Sequence, residues 1–256
     1  MLGLLAGAPV LAAGRAFGLT APAPKIGRLI GDAQAHAKIS QRIETISRAL
    51  LGARYQAHTL IGGPNRKEVF VVRDDAFDCV TYCEVVLAAA IARDIAEFEP
   101  ALRRIRYHHG NVGWAERNHY YADWCERNVE NRICRPVTIS TPVKIHKISN
   151  SEPGLGTRQW TIDAMPRATL LSSSELLVAG DIIGFVSRRS NLDYFHTGFV
   201  AFGPQRELLL RHASGSHGRV LDERMDRFIA ANGPQYVTVL RPEETRPPQG
   251  ASRNPN

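Results

Sequence analysis

Three residues of this sequence have the types and spacing of a nucleophile with its bases: Cys79, His196 and His212. Cys79 follows Asp78, whose carboxylate can accept the free N–H groups of a first helical turn, and an apolar, Ala-rich run comes next. Cys79 would then be the first helical residue, where the helix dipole favours an anion. We therefore expect a lowered thiol pKa and a nucleophilic cysteine. The alternative is a cysteine that only packs at the start of a core helix.

The two histidines lie sixteen residues apart, each in a predicted β-strand. If these strands pair around an odd-numbered loop, the even separation places both side chains on one face, opposite each other. One imidazole can then orient and polarise the other, as the third member does in nucleophile–base–orienter sets. The alternative for each histidine alone is a polar residue at a strand end.

Two predicted helices precede the strands. The first spans Asp32 to Leu51, after a loose linker over 14–31. Its apolar stripe contains Ile39, Ile43, Ile46 and Leu50, with Lys38, Arg42 and Arg48 off the stripe. The cysteine helix runs to about Ala96, and its core-facing positions are Val80, Cys83, Leu87, Ala90 and Ile91.

A strand meander is predicted in the second half of the chain. Its strands cover 180–186, 194–202, 207–214 and 236–240, with a short helix over 222–231. Shorter strands are expected at 68–72, after a turn at 62–65, and within 137–148 and 158–163. We predict that the segment 100–165 is an insertion between the cysteine helix and the meander.

Aromatic and polar residues occur together between residues 101 and 135. They are Tyr107, His108, His109, Trp114, His119, Tyr120, Tyr121 and Trp124. Such a stretch can line a carbohydrate or peptide groove; the alternative is an aromatic-stapled surface loop. The His108-His109 pair lacks the spacing of a helical metal site, so we predict no metal.

The other cysteines do not form a metal or redox motif. No pair has the C-x-x-C spacing. Cys125 and Cys134 flank a polar loop and can bridge in an oxidising compartment, whereas Cys83 is expected to pack in the core. Cys79 is thus the cysteine with a predicted chemical role.

The composition is that of a globular protein. With 256 residues, 44% hydrophobic and 22% charged, the chain can bury one sizeable core. The net charge of +7 is compatible with nucleic acid, anionic lipid or an anionic wall polymer. The basic residues are scattered, however, which favours a solvated surface, and no repeat or nucleic-acid-binding signature is present.

Both chain ends are predicted to lie outside the folded domain. Residues 1–24 resemble an export signal, because Met1 to Ala13 is nearly all apolar and too short to span a bilayer. The alternative is a disordered apolar leader. Residues 242–256 are Pro-rich and polar, which predicts disorder. A single catalytic domain over 32–241 remains, without a stable membrane span.

In their order, these motifs resemble a known family. Asp-Cys at a helix start, the Gly-Asp-Ile-Ile strand, His-Thr-Gly-Phe-Val and Arg-His-Ala-Ser resemble the NlpC-type cysteine peptidases and amidases of bacterial peptidoglycan. The segment Tyr107 to Asn128 is more similar to the N-acetylmuramoyl-L-alanine amidase-like branch, largely known as a domain of unknown function. The resemblance covers about residues 40–240. It implies an α+β, papain-like fold with N-terminal helices, the cysteine at a helix start, and an antiparallel β-meander.

The resemblance also implies roles for residues. Cys79 matches the nucleophile, His196 the general base and His212 the residue that orients it, with no metal or organic cofactor. Two features depart from the branch: Tyr82-Cys83 stands where Phe-Val is more familiar, and Arg211 precedes His212. The expected substrate contacts are Tyr55, Asp78, Tyr82, His119, Asp123, Trp124 and Ser214.

The implied reaction is hydrolysis of an amide bond in peptidoglycan through a thioester. The partner is then peptidoglycan or a muropeptide, in the bacterial periplasm or cell envelope, and no nucleic acid is expected. The bond is either the lactyl amide between N-acetylmuramic acid and L-alanine or the D-glutamyl link of the stem peptide. Two other functions stay open: a cysteine acyltransferase on the same fold, and a basic wall-binding module whose cysteine only packs.

Overall fold

Helices dominate the first half of the chain and strands the second. The computed structural model describes residues 24–245. Its α-helices are α1 (Pro24–Ala33), α2 (Ile39–Ala49), α3 (Cys79–Ile91), α4 (Ile95–Arg106), α5 (Tyr121–Glu130), α6 (Arg167–Ser172) and α7 (Met225–Asn232).

The strands form one large curled sheet and a separate hairpin. They are β1 (Arg54–Tyr55), β2 (Ile61–Gly63), β3 (Arg66–Val69), β4 (Ala76–Phe77), β5 (Cys134–Pro136), β6 (Val143–Ser149), β7 (Arg158–Pro166), β8 (Ile182–Val186), β9 (Tyr194–Phe202), β10 (Leu208–Ser214), β11 (Arg219–Arg224) and β12 (Tyr236–Pro242). The sheet order is β4-β1-β11-β10-β9-β8-β12-β7-β6, with β5 also paired to β12, and β2-β3 is the hairpin. Only β1 and β4 pair in parallel among these strands. The predicted mixed α+β class is confirmed.

Helix α3 is the centre of the main core. It packs against α1, α2 and α4 on one side and against β9 and β10 on the other. Its residues from Thr81 to Ala90 are all buried, as expected for a helix that is apolar around its whole circumference. The predicted core positions Cys83, Leu87 and Ala90 are among them. This burial holds the start of α3 in a fixed place beside the sheet.

The central sheet carries apolar residues on both faces. On the α3 side Phe199 of β9 and Ala213 of β10 join the main core. On the other side Val200 and Leu210 pack with Phe228 of α7 in a second core. Neighbouring residues of β9 thus point to opposite cores, as the pleat of a strand requires.

The helices before the cysteine differ from the prediction. The predicted helix over 32–51 is two helices, because the chain turns between Ala33 and Ile39. The predicted linker is wrong from residue 24 onward, since α1 buries Ile26 and Ile30 against the core despite its two glycines. The apolar stripe of α2 is buried as predicted.

Arg42 was predicted to lie off the apolar stripe, and this is wrong. Its side chain is buried, and its Nε–H donates to the Ala90 carbonyl at 2.8 Å. Its guanidinium also pairs with Glu244 at 2.7 Å. A buried cation is tolerated here because carbonyl and carboxylate oxygens satisfy its donors.

Other element boundaries also shift. The cysteine helix ends at Ile91, and α4 begins at Ile95 behind an Asp94 cap. The predicted helix over 222–231 starts only at Met225, because β11 occupies the residues before it. The turn at 62–65 does connect two strands, β2 and β3. The strands predicted within 137–148 and 158–163 correspond to β6 and β7.

The segment 100–165 joins the rest of the fold closely. It supplies most of α4, all of α5, and strands β5 and β7, which both pair with β12. Of its aromatic residues, Tyr107, Tyr121 and Trp124 are buried, whereas Trp114 lies partly exposed in the loop between α4 and α5.

The chain ends are only partly described. The predicted leader at 1–23 lies outside the described residues, as do 246–256. Disorder from residue 242 is wrong for the first tail residues: Pro242 ends β12, and the Glu243 N–H donates to the Ile133 carbonyl. Within residues 24–245, every helix is too short or too polar to cross a bilayer.

Candidate active site

Cys79 is the first residue of α3, as predicted. The Asp78 carboxylate accepts the Thr81 N–H at 2.8 Å, and the Thr81 hydroxyl accepts the Asp78 N–H at 3.0 Å. This reciprocal capping box fixes where the helix begins. The Cys79 thiol is therefore held, half-buried, at the helix N-terminus.

The predicted lowering of the Cys79 pKa is wrong for the resting structure. Burial raises the pKa of the thiol to about 12, and the neighbouring Asp78 carboxylate acts in the same direction. The backbone N–H groups of Thr197, Cys79 and Val80 oppose this shift without offsetting it. The carboxylate that caps the helix thus works against the thiolate, and Cys79 rests as a thiol.

His196 and His212 form one unit across β9 and β10. His196 Nε2 lies 2.6 Å from His212 Nδ1, and the two rings are nearly perpendicular, at 88°. Burial lowers the pKa of His196 to about 3, with a further contribution from His212, and burial likewise lowers the pKa of His212 to about 4. Both rings are therefore neutral at pH 7. One of the two facing nitrogens carries a proton and donates it in a hydrogen bond to the other.

The strand register explains how the two rings meet. The loop between the strands is odd-numbered and both rings lie on one face, as predicted. The prediction that they lie directly opposite is wrong by two residues, because Leu208 pairs with Phe202 and Gly198 thus stands opposite His212. A Cβ at Gly198 would lie 2.8 Å from the His212 Cβ. Because Gly198 has no side chain, the space beside His212 is open, and the His196 ring reaches His212 diagonally across the two strands.

Thr197 connects the thiol to the histidine pair, and sequence analysis did not single it out. Its backbone N–H faces the Cys79 thiol, and it directly follows His196 in β9. Its buried hydroxyl donates to the Ile183 carbonyl at 2.9 Å and accepts from Tyr121 at 2.6 Å. No hydrogen bond joins Cys79 to His196 in the described part of the chain, and the Thr197 amide is the link between the thiol and the strand that carries His196.

Tyr55 and Ser214 lie at the same end of the sheet. The pKa of Tyr55 is raised first by burial and then by the negative charges that Cys79 and Asp78 carry when ionised. A Cβ on Gly215 would be 3.3 Å from the Tyr55 ring, so the residue after Ser214 lies against that ring. Ser214 itself is buried, and its hydroxyl lies 3.0 Å from His217 Nδ1, so both predicted contacts stay predictions.

A cleft of about 510 Å³ opens beside the start of α3. Asp78 and Val80, the two neighbours of Cys79 in sequence, line it. Its far wall includes Trp114, His119 and Tyr120, from the aromatic stretch of the sequence. The cleft therefore brings the two sequence neighbours of the cysteine together with predicted groove residues.

His119 is fixed in the far wall of this cleft. Its Nε2–H donates to the Trp114 carbonyl at 2.7 Å, and its Nδ1 lies 3.4 Å from a Glu152 carboxylate oxygen. Burial lowers the pKa of His119, so the ring is neutral at pH 7 and its Nδ1 accepts hydrogen bonds. His119 lines the cleft, and its predicted contact with a substrate stays a prediction.

Two predicted substrate contacts are wrong, because their side chains are used within the fold. Tyr82 has no exposed surface, and its hydroxyl donates to the Ser47 carbonyl at 3.0 Å. The Asp123 carboxylate accepts from Trp160 at 2.8 Å and from Arg158 at 2.7 Å, which fastens α5 to β7. Trp124 lies at the cleft wall but is itself fully buried.

The remaining cysteines are free thiols. Cys83 is fully buried, as predicted, whereas the bridge expected between Cys125 and Cys134 is not formed. Residues 24–245 contain no group of three or more His, Cys, Asp and Glu side chains arranged to hold a metal ion.

Alkylation of Cys79 by iodoacetamide should be slow at neutral pH and should accelerate steeply with pH. Only the thiolate reacts, and a raised thiol pKa makes its fraction grow about tenfold per pH unit. The measurement is site-resolved mass spectrometry of the alkylated peptides between about pH 6.5 and about pH 9.5. A rate that is independent of pH in this range would instead indicate a resting thiolate–imidazolium pair.

The fold and the site define a class of α+β proteins in which a helix-terminal cysteine lies beside a histidine pair of an antiparallel sheet. Residues 45–234 match the model of the AmiA-like family, described as N-acetylmuramoyl-L-alanine amidase-like, and the chain belongs to this family. The resemblance to the amidase-like branch is thereby confirmed. Membership supports a hydrolase that acts on peptidoglycan.

Solved structures share this fold. An N-acetylmuramoyl-L-alanine amidase from Bacteroides uniformis is 26% identical, with 77% of this chain and 97% of that chain covered at a TM-score of 0.67. A Legionella pneumophila protein is 22% identical over 85% of this chain and 93% of that one, with a TM-score of 0.75. A Bacteroides fragilis protein described as a candidate xylanase is 24% identical over 76% of this chain and 98% of that one, with a TM-score of 0.65. The last two show the fold alone. A search of curated proteins gave no match.

Proposed function

We propose that this protein is a cysteine N-acetylmuramoyl-L-alanine amidase with a papain-like, NlpC-type site. Cys79 is the nucleophile, His196 the general base and His212 the residue that orients it. The observation that carries the proposal is the 2.6 Å contact between His196 and His212, directly beside the Thr197 amide that faces the thiol. The family and the Bacteroides uniformis amidase agree with this bond type.

The proton path follows from which imidazole nitrogens are engaged. His196 Nε2 faces His212, so Nδ1 is the nitrogen left to accept the Cys79 proton. Because both groups are neutral at rest, the proton moves as the sulfur attacks the amide carbonyl carbon. The thiolate and imidazolium that form together stabilise each other in a site shielded from water.

The acyl group then passes to water. The carbonyl oxygen becomes an oxyanion, which the N–H groups of Cys79 and Val80 stabilise, since both already point at the sulfur. His196 returns its proton to the leaving amine as the C–N bond breaks and a thioester remains. Water loses a proton to His196, attacks the thioester and releases a carboxylic acid and the free thiol. These steps need no metal or organic cofactor.

The muropeptide is proposed to lie in the cleft next to the start of α3. Asp78 and Val80 flank the nucleophile, while Trp114 and His119 offer an aromatic face and hydrogen-bonding groups farther away. Aromatic faces suit sugar rings, and neutral imidazoles suit hydroxyl and amide groups. We also propose export to the cell envelope, where this polymer lies and to which the signal-like residues 1–24 would direct the chain.

Mass spectrometry of muropeptides incubated with the full chain tests the proposal. Cleavage of the lactyl amide should release the intact stem peptide and a disaccharide that carries the lactyl group. His196→Ala should slow product formation by about 10³-fold or more. His146→Ala is the matched control and should retain the wild-type rate, because His146 lies exposed on β6 and its side-chain hydrogen bond within residues 24–245 is to Thr161.

Other products would overturn the assignment of the bond or of the activity. Cleavage after D-glutamate would make the protein an endopeptidase. Transfer of the acyl group to an added amine or lipid, without hydrolysis, would make it an acyltransferase. Muropeptide binding by a folded protein that forms no product would make it a wall-binding module.

A further inference from the structure

One ring nitrogen of the histidine pair is buried without a hydrogen bond. His212 Nδ1 faces His196, while His212 Nε2 has no hydrogen-bond partner in residues 24–245. A Glu223 carboxylate oxygen lies 3.3 Å from this nitrogen, outside hydrogen-bond alignment. Leaving a buried imidazole nitrogen unpaired is unfavourable, so a nearby acceptor that can rotate into line is significant.

Glu223 is free to take this role. Its side chain is 21% exposed, and in the described structure its only polar contact is His212. Its neighbours on β11 have other partners: Asp222 pairs with Arg211, and Arg224 pairs with Asp226. The Glu223 carboxylate lies on the same sheet face as the histidine pair and has no competing partner on β11. It can therefore accept a hydrogen bond from His212.

The register places the three side chains on one diagonal. His212 pairs with Leu221 across β10 and β11, so Glu223 stands two residues along from the directly opposite position. His196 and His212 are offset by two residues across β9 and β10 in the same way. The side chains of His196, His212 and Glu223 therefore cross three neighbouring strands on one face.

We propose that Glu223 is a positioning residue that fixes the tautomers of both histidines; this rests on the proposed function. Its carboxylate accepts the Nε2–H of His212, which leaves His212 Nδ1 as the acceptor. His196 must then donate its Nε2–H to that nitrogen, and its Nδ1 remains bare. A bare Nδ1 is the state that accepts the Cys79 proton.

The other groups that face His212 do not offer this acceptor. His196 holds Nδ1, and His217, from the turn after β10, lowers the pKa of His212. Asp222 raises that pKa but is engaged by Arg211. From α7, the ring of Phe228 covers the imidazole, with centroids 5.4 Å apart.

Nitrogen-15 NMR of the histidine rings in the full chain tests the proposal without any substrate. In the wild type at neutral pH, both His196 and His212 should carry their proton on Nε2. Glu223→Leu should shift His212 to a mixture of tautomers, while Glu223→Gln should keep the wild-type pattern, because its amide oxygen still accepts. Asp226→Asn, which breaks an exposed ion pair at the next turn, should change nothing. A wild-type proton on His212 Nδ1, or an unchanged spectrum in Glu223→Leu, would overturn the proposal.

Kinetics provide the second readout. In Glu223→Leu, kcat for the muropeptide should fall about tenfold with KM nearly unchanged, since only the fraction of the competent tautomer changes. Glu223→Gln should restore most of the rate. Equal kcat in the wild type and Glu223→Leu would contradict the role, whereas absence of cleavage in the wild type would count against the proposed function and leave the NMR result standing.

Discussion

Replacing Cys79 by alanine should lower the rate of muropeptide cleavage by about 10⁴-fold or more. The hydrolysis proposed above passes through a thioester, and the Thr81 hydroxyl, also at the start of α3, is engaged in the capping box. Asp78 and Thr81 still form the capping box, so the helix and the cleft should persist. The measurement is the initial rate of product formation per folded molecule, with the fold checked by circular dichroism.

Cys83→Ala is the matched control for this result. Cys83 lies one turn later in α3 and is fully buried, and its hydrogen-bond partner within residues 24–245 is the Thr197 hydroxyl, 4.0 Å away. Removing its sulfur should cost about 1 kcal/mol of stability and leave the rate per folded molecule within about twofold. If Cys79→Ala kept more than about a tenth of the wild-type rate, the thiol mechanism would be wrong.

The position of Cys79 could be predicted, but its protonation state could not. Asp78 and Thr81 are close in sequence, and a capping box is a local interaction, so the start of α3 follows from four residues. Burial of the thiol depends on what packs over α3, and that comes from β9 and Tyr55, far away in sequence. The predicted dipole effect exists, since nearby N–H groups lower the pKa, but desolvation exceeds it.

The histidine pair shows a similar limit. The even separation of His196 and His212 sufficed to predict a shared face, because the side-chain period of a strand is two. The register depends on how the loop after β9 turns and on Gly198, where a side chain would strike His212. Pattern alone therefore predicted the meeting of the rings but not their diagonal geometry, nor the approach of Glu223.

The prediction of substrate contacts from residue type was wrong where a polar side chain forms its hydrogen bonds within the protein. Tyr82 and Asp123 have the chemistry of binding residues, yet their partners come from α2 and β7. Tyr55, Asp78 and His119 do border the cysteine or the cleft, where their roles stay predictions. The difference between the two groups is tertiary burial, which a single sequence does not encode locally.

The ion pair between Arg106 and Glu84 should contribute the largest single effect on stability. Both side chains are buried, and the Arg106 Nε–H donates to Glu84 at 2.7 Å. Arg106 also donates to the Val71 carbonyl at 2.6 Å, which joins α3 and α4 to the chain before the capping box. Arg106→Met should therefore cost about 3–5 kcal/mol, because it leaves a buried carboxylate without its cation.

The double variant and the pH dependence distinguish a lost charge partner from lost packing. Removing both charges with Arg106→Met and Glu84→Met should recover most of the lost stability in urea unfolding, since no unpaired charge remains. Burial already raises the pKa of Glu84, and Arg106 opposes that shift. In Arg106→Met the folded-state pKa of Glu84 should rise further above its unfolded value, so the deficit should shrink as the pH falls toward that pKa.

Arg103→Met supplies the comparison on the same helix. Its guanidinium is 3.8 Å from Glu99, and both side chains are about one-third exposed, so its loss should cost less than about 1 kcal/mol. A double variant as unstable as Arg106→Met alone, with no pH dependence, would mean that Arg106 acts through packing and its bond to Val71. If the double variant regains most of the lost free energy of unfolding, the two charges stabilise the cleft wall only together. Either charge alone is then destabilising, whereas removing both is tolerated.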